Sequence, residues 1–204
     1  SLMFRIFGPP GTGKTTTLLN MLDKALESGV PPTSIAFLAF TKKAATEAKE
    51  RASARFHLDP EKDLFYFRTL HSLALNASGI RSEQVMSKEH YKELSDIISI
   101  PLVSKTSLND DIVDKQATDH PILSLINLAR LCKTSLRKQY NKSSIEFDWN
   151  TVNYVDKCYK EYKQKHDLYD FTDMLQCFID ESDIACPKFD LVFLDEAQDL
   201  SPLQ

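Results

Sequence analysis

The chain has 204 residues, 25 Lys and Arg against 29 Asp and Glu, a net charge of −4 and an apolar fraction of 42%. That supports one large domain, or a domain with an insertion, and excludes a globally basic nucleic-acid binder. The longest apolar runs are strand length and no leader pattern is present, so neither a membrane span nor a secretory signal is expected.

The four cysteines, Cys132, Cys158, Cys177 and Cys186, form no C-x-x-C pair. They read as reduced, mostly buried thiols of a cytoplasmic protein. Their spacing gives little support to a zinc site.

In chain order, Met3 to Phe7 is apolar enough for a buried strand. Residues 7 to 17 then read FGPPGTGKTTT. Only five glycines occur in the chain, and Gly8, Gly11 and Gly13 fall here. The spacing of Gly8, Gly13, Lys14 and Thr15 fits G-x-x-x-x-G-K-[ST], a phosphate loop. Such a loop needs a strand before it and a helix after it. Leu18, Leu19, Leu22 and Leu26 supply helical spacing over residues 16–28, ending at Gly29.

The expected nucleotide-binding residues are therefore Gly8, Pro9, Pro10, Gly11, Thr12, Gly13, Lys14, Thr15 and Thr16. Backbone N–H groups from Gly11 to Thr15 would line an anion site at a helix N-terminus. Lys14 adds a point charge for the β- and γ-phosphates, and the Thr15 hydroxyl is a ligand for Mg²⁺.

Residues 35–40 predict a second strand and residues 42–56, rich in alanine and charge, a helix. Residues 64–68 predict a third short strand. Strands alternating with helices imply an α/β fold with a parallel sheet and helices on both faces.

From about Gly79 to His166 the sequence is mostly polar and helical. Residues 104–119 read as loop, and residues 121–138 and 149–165 as amphipathic helices. Between Arg130 and Lys165 nine Lys or Arg stand against four Asp or Glu. A local basic excess in an acidic chain fits either a nucleic-acid face or a solvated helix surface.

Strand pattern returns at Phe189 to Leu194 and runs into Asp195-Glu196-Ala197-Gln198-Asp199. Alone this is compatible with an ordinary acidic turn. Beside a phosphate loop it supplies what that loop lacks: a carboxylate for Mg²⁺, Asp195, and a group to polarise the attacking water, Glu196. Ligands of open α/β sheets bind at the carboxyl ends of strands, so both sets of groups converge if the two strands are neighbours.

Together these motifs resemble the superfamily 1 helicases of the UvrD/Rep/PcrA type. Residues 39–45, AFTKKAA, followed by Glu47, Glu50 and Arg51, look like that family's first single-strand contact motif, with Lys42 in place of the usual Asn. Thr69-Leu70-His71-Ser72 resembles its T-x-H-S motif, and Asp170-Phe171-Thr172-Asp173 its D-F-x-D segment. All occur in family order.

The resemblance implies a RecA-like P-loop NTPase core at residues 1–78 and 167–204, with a helical insertion at 79–166. It implies ATP and Mg²⁺ as cofactors, with Glu196, Lys14 and Gln198 catalytic. It implies single-stranded DNA and a duplex junction as partners, with contacts from Phe40, Thr41, Lys42, Thr69 and His71. From the residues alone, Phe40 is equally a core side chain or a base-stacking platform. His71 alone reads more readily as structural than functional.

The second RecA-like domain, with its transition-state arginines, and the adenine-reading glutamine motif have no counterpart here. The expectation is a fragment that turns ATP over slowly or not at all, from a parent translocating 3′ to 5′. A regulatory nucleotide switch and the motor part of a helicase-nuclease are the alternatives. A small-molecule kinase is disfavoured by Glu196.

Overall fold

The computed structural model describes residues 3–7, 14–103, 120–179 and 188–195. Among them are four strands, β1 (Met3–Phe7), β2 (Ile35–Ala39), β3 (Phe67–Thr69) and β4 (Leu191–Asp195). Eight α-helices accompany them: α1 (Lys14–Glu27), α2 (Lys42–Phe56), α3 (Leu70–Ala77), α4 (Lys88–Ile98), α5 (Pro121–Leu131), α6 (Leu136–Lys142), α7 (Trp149–His166) and α8 (Phe171–Ile179). The described chain forms two compact units. One takes it as far as Gly79 and again from Leu175; the other is Ile80–Met174.

The first unit is a parallel sheet in the order β1-β4-β2-β3. Strand β4, the last in sequence, lies between the first two. Alternate positions Ile35, Phe37, Ala39, Leu191 and Phe193 pack with Leu18 and Leu22 of α1 and with Ala45, Ala48 and Ala52 of α2. The intervening positions Ala36, Leu38, Val192 and Leu194 are also fully buried. Burial on both faces explains why these strands read as continuous apolar runs rather than alternating ones. The expected α/β sheet flanked by helices is what forms.

Local chemistry sets the helix ends. Gly29 takes φ +90° after α1. Val30 N–H then reaches Ala25 O at 3.1 Å and Gly29 N–H reaches Leu26 O at 3.0 Å, the paired closure that a left-handed residue allows. Helix α2 ends at His57, also left-handed.

Two sequence expectations need correction. The third strand covers Phe67–Thr69 rather than residues 64–68. The Asp59 carboxylate accepts the Glu61 and Lys62 N–H groups at 2.8 and 3.0 Å, and a second turn bonds Phe67 N–H to Leu64 O. These turns use up the residues before Phe67. The single helix expected over residues 121–138 is two. Lys133 is left-handed, Thr134 N–H closes on Ala129 O, and Ser135 caps a new helix by accepting Lys138 N–H at 3.1 Å.

The second unit is all helical, with a core of its own. Tyr91, Leu94 and Ile98 of α4, Ile122, Leu123, Leu125 and Ile126 of α5, and Val152, Val155, Tyr159 and Tyr162 of α7 form one buried cluster. Helix α7 covers Trp149–His166, close to expectation, capped by Asp148 accepting Thr151 N–H at 2.8 Å. Residues 104–119 lie outside the described residues.

Candidate nucleotide and nucleic-acid site

The register of the sheet fixes the geometry of the site. Phe7 pairs with Asp195, Asp195 with Ala39, and Ala39 with Thr69. The last residues of all four strands therefore stand on one rung, at the carboxyl edge of the sheet. The condition set by the sequence, that β1 and β4 be neighbours, holds.

From β1 the chain enters residues 8–13 and resumes at Lys14, the first residue of α1. Thr15 is half-buried and Thr16 exposed in the first turn. Gly8, Pro9, Pro10, Gly11, Thr12 and Gly13 lie outside the described residues, as do Glu196 and Gln198. Asp195 closes β4 and is buried.

From β2 the chain passes through Phe40, half-buried, into α2. Thr41 caps that helix: its Oγ1 accepts Ala44 N–H at 3.1 Å. Lys42, the first helical residue, is exposed. From β3 the chain goes straight into α3, whose cap is Thr69, accepting Ser72 N–H at 3.0 Å. His71 is exposed in the first turn of α3. Thr41 and Thr69 thus do the same local job on adjacent strands. Each places a helix N-terminus, with its partial positive charge, at the carboxyl edge of the sheet. The sequence reading missed both caps, although threonine just before a helical pattern was signal enough.

The basic stretch of the helical unit is less available than its composition implies. Arg130 bonds Asp170 at 2.9 Å and also Asp173. Lys163 bonds the same two carboxylates at 3.0 and 2.8 Å, and Lys160 bonds Asp156 at 3.0 Å. Arg137 lies over the Trp149 ring, 4.7 Å from its centroid. Of the nine cations, three are committed to ion pairs inside the unit.

Inside this cluster, burial works to raise the Asp170 pKa, but Lys163 and Arg130 outweigh it and hold the carboxyl well below the usual range. Asp173 is pushed up, by burial and by the Asp170 charge. Burial, then Asp170, drives the Tyr159 phenol well above its ordinary value.

The cysteines depart from expectation. Cys132 is exposed and Cys158 half-buried, both with free thiols, whereas Cys177 is disulfide-bonded. No helix among the described residues is long and apolar enough to cross a membrane.

The chain is 25% identical over 213 residues to YjcD of Bacillus subtilis (strain 168), covering 95% of this chain and 26% of that protein. It is 26% identical over 208 residues to the ATP-dependent DNA helicase PcrA of Leuconostoc citreum, covering 98% of this chain and 27% of the relative. Against PcrA of Staphylococcus aureus (strain Mu50 / ATCC 700699) identity is 22%, over 98% of this chain and 28% of the relative. The chain thus spans about a quarter of the length of the curated relatives it matches. The family model for the UvrD/REP helicase N-terminal domain matches residues 3–204, nearly the whole chain, and the chain belongs to that family.

Proposed function

We propose that this chain is the ATP-binding first motor domain of an ATP-dependent DNA helicase that translocates 3′ to 5′ on single strands. The observation that carries the reading is the common rung of Phe7, Asp195, Ala39 and Thr69. The glycine loop, the acidic end of β4 and both single-strand motifs leave the sheet from that one edge, where open α/β sheets bind ligands.

In this reading Gly8, Pro9, Pro10, Gly11, Thr12, Gly13, Lys14, Thr15 and Thr16 hold the nucleotide. Lys14 supplies a point charge for the β- and γ-phosphates. The Thr15 hydroxyl and the Asp195 carboxylate are hard oxygen donors, the kind Mg²⁺ takes, on two neighbouring elements, and they would hold it. Magnesium bound there would neutralise charge on the phosphates. Glu196 accepts the proton of the attacking water, and Gln198 senses the terminal phosphate.

Phe40, Thr41, Lys42, Thr69 and His71 contact the single strand. The Thr41 and Thr69 oxygens each accept a cap N–H, which leaves each hydroxyl proton to donate to a backbone phosphate. The unit Ile80–Met174 is the helical insertion, directed to the duplex junction. In the whole protein a second RecA-like domain would supply arginines worth roughly 10³–10⁵ in rate.

The test is ATP hydrolysis by the full-length parent with and without oligo-dT, alongside a Glu196→Gln parent and this chain alone. Many-fold stimulation by DNA, loss of it in the variant and near-zero turnover by the chain alone support the motor reading. Turnover indifferent to DNA would replace it with a nucleotide switch.

A further inference from the structure

The D-F-x-D segment has no task in the function proposed above. The side chains of Asp170, Thr172 and Asp173 are engaged within the helical unit. The Asp173 N–H donates to Asp170 Oδ1 at 2.7 Å, and the Asp170 N–H donates to Asp173 Oδ2 at 2.9 Å. This is a reciprocal cap over the first turn of α8. The same carboxylates receive Arg130 from α5, and Lys163 and the Tyr159 hydroxyl from α7. The Tyr91 hydroxyl of α4 lies 3.3 Å behind that of Tyr159. Thr172 donates to Asn127 Oδ1 of α5 at 2.9 Å. Phe171 is buried.

Just upstream, the chain leaving the unit is bonded to the chain entering it. Tyr169 N–H donates to Gln84 O at 2.7 Å, Met86 N–H to Tyr169 O at 2.9 Å, and Gln84 Nε2 to Asp167 Oδ2 at 2.7 Å.

We propose that Asp170 and Asp173 form a charge-balanced clasp, two carboxylates against Arg130 and Lys163, that fastens the exit of the helical unit to α5 and α7 beside its entry. Its balance is what the unit depends on. Two cations and two anions, largely out of water, cancel. Removing one cation leaves a surplus negative charge with little solvent to screen it. The least costly repair is a proton on Asp173, whose carboxyl is the readier of the two to take one up. The charged and titratable groups facing the pair are Arg130, Lys163 and Tyr159, with Tyr91 behind. This inference does not rest on the nucleotide or DNA reading.

Thermal unfolding of the chain at about pH 8 and pH 5.5 tests it, each variant compared with the unaltered chain at the same pH. Lys163→Met should lower the midpoint by about 10 °C at the higher pH, and more than half of that deficit should vanish at the lower pH. Adding Asp173→Asn to Lys163→Met should restore more than half of the loss at the higher pH. An equal deficit at both pH values overturns the clasp, as does a double variant that loses as much as the two single losses added. If Lys163→Met does not fold at the higher pH, the double variant decides: a cooperative transition supports the clasp, and an unfolded chain refutes it.

Discussion

Asp195 and Phe7 are register partners on the last rung of β4 and β1, so the buried carboxylate ends its strand directly beside the strand that feeds the glycine loop. No other described strand pairs with β1. Replacing this carboxylate should therefore act on chemistry more than on folding. Asp195→Asn in the full-length protein should lower Mg²⁺-dependent ATP turnover by about 10²-fold or more. Hydrolysis assays beside circular dichroism check this; full activity in a folded variant would remove Asp195 from the site.

Thr69 should show two separable effects. Thr69→Val deletes the α3 cap and should cost about 1 kcal/mol in urea unfolding, while Thr69→Ser keeps it. In single-strand binding Thr69→Val should also weaken affinity, whereas Thr69→Ser should not. A variant that loses stability but no affinity would make Thr69 a cap and nothing more.

Asp170 should govern acid sensitivity. Its folded pKa is depressed, so its contribution is fully present above the unfolded value of about 3.9 and is lost as pH falls below that towards the folded value. Stability of the unaltered chain should decline from about pH 4 downward. Asp170→Asn should cost about 3–5 kcal/mol at pH 7, because it leaves Arg130 and Lys163 against one carboxylate. It should also flatten the acid limb. Urea midpoints between pH 3 and pH 7 decide the matter.

Gly29 should tolerate a methyl sterically but not conformationally. Nothing lies within 4 Å of a Cβ built there, yet φ is +90°. Gly29→Ala should therefore cost about 1 kcal/mol through backbone strain alone, and Gly29→Asn less. Urea unfolding of both variants measures the difference.

Strand β4 sits in the middle of the sheet and should be intolerant of lost volume. Phe193 is fully buried between the α1 and α2 contacts of the core. Phe193→Ala should cost about 3–5 kcal/mol, read from the same denaturation curves.

How far the sequence led depends on the range of the forces involved. Helix α2 was legible to the residue because alanine and charge patterning are local. Two turns consumed part of the third strand, and a left-handed Lys133 divided a helix, because a single backbone conformation can end an element whose side-chain pattern continues. The fate of Arg130 and Lys163 was not legible. Composition counts them as surface charge, and only the fold brings Asp170 and Asp173, forty or so residues beyond Arg130, to meet them. The position of β4 was foreseen only as a condition, since nothing local to residues 189–195 states which strands will flank them.

The placement of β4 has a consequence for synthesis. On the ribosome β1, β2 and β3 emerge first, with the slot between β1 and β2 empty. Until residue 195 is out, β1 has no described strand to pair with and both edges of that slot offer unpaired backbone. The buried cluster of the helical unit is drawn from residues 86–168, all of which precede β4. Completing the sheet therefore joins segments more than a hundred residues apart in sequence, a long-range closure of the kind that is slow and leaves strand edges unpaired until it happens.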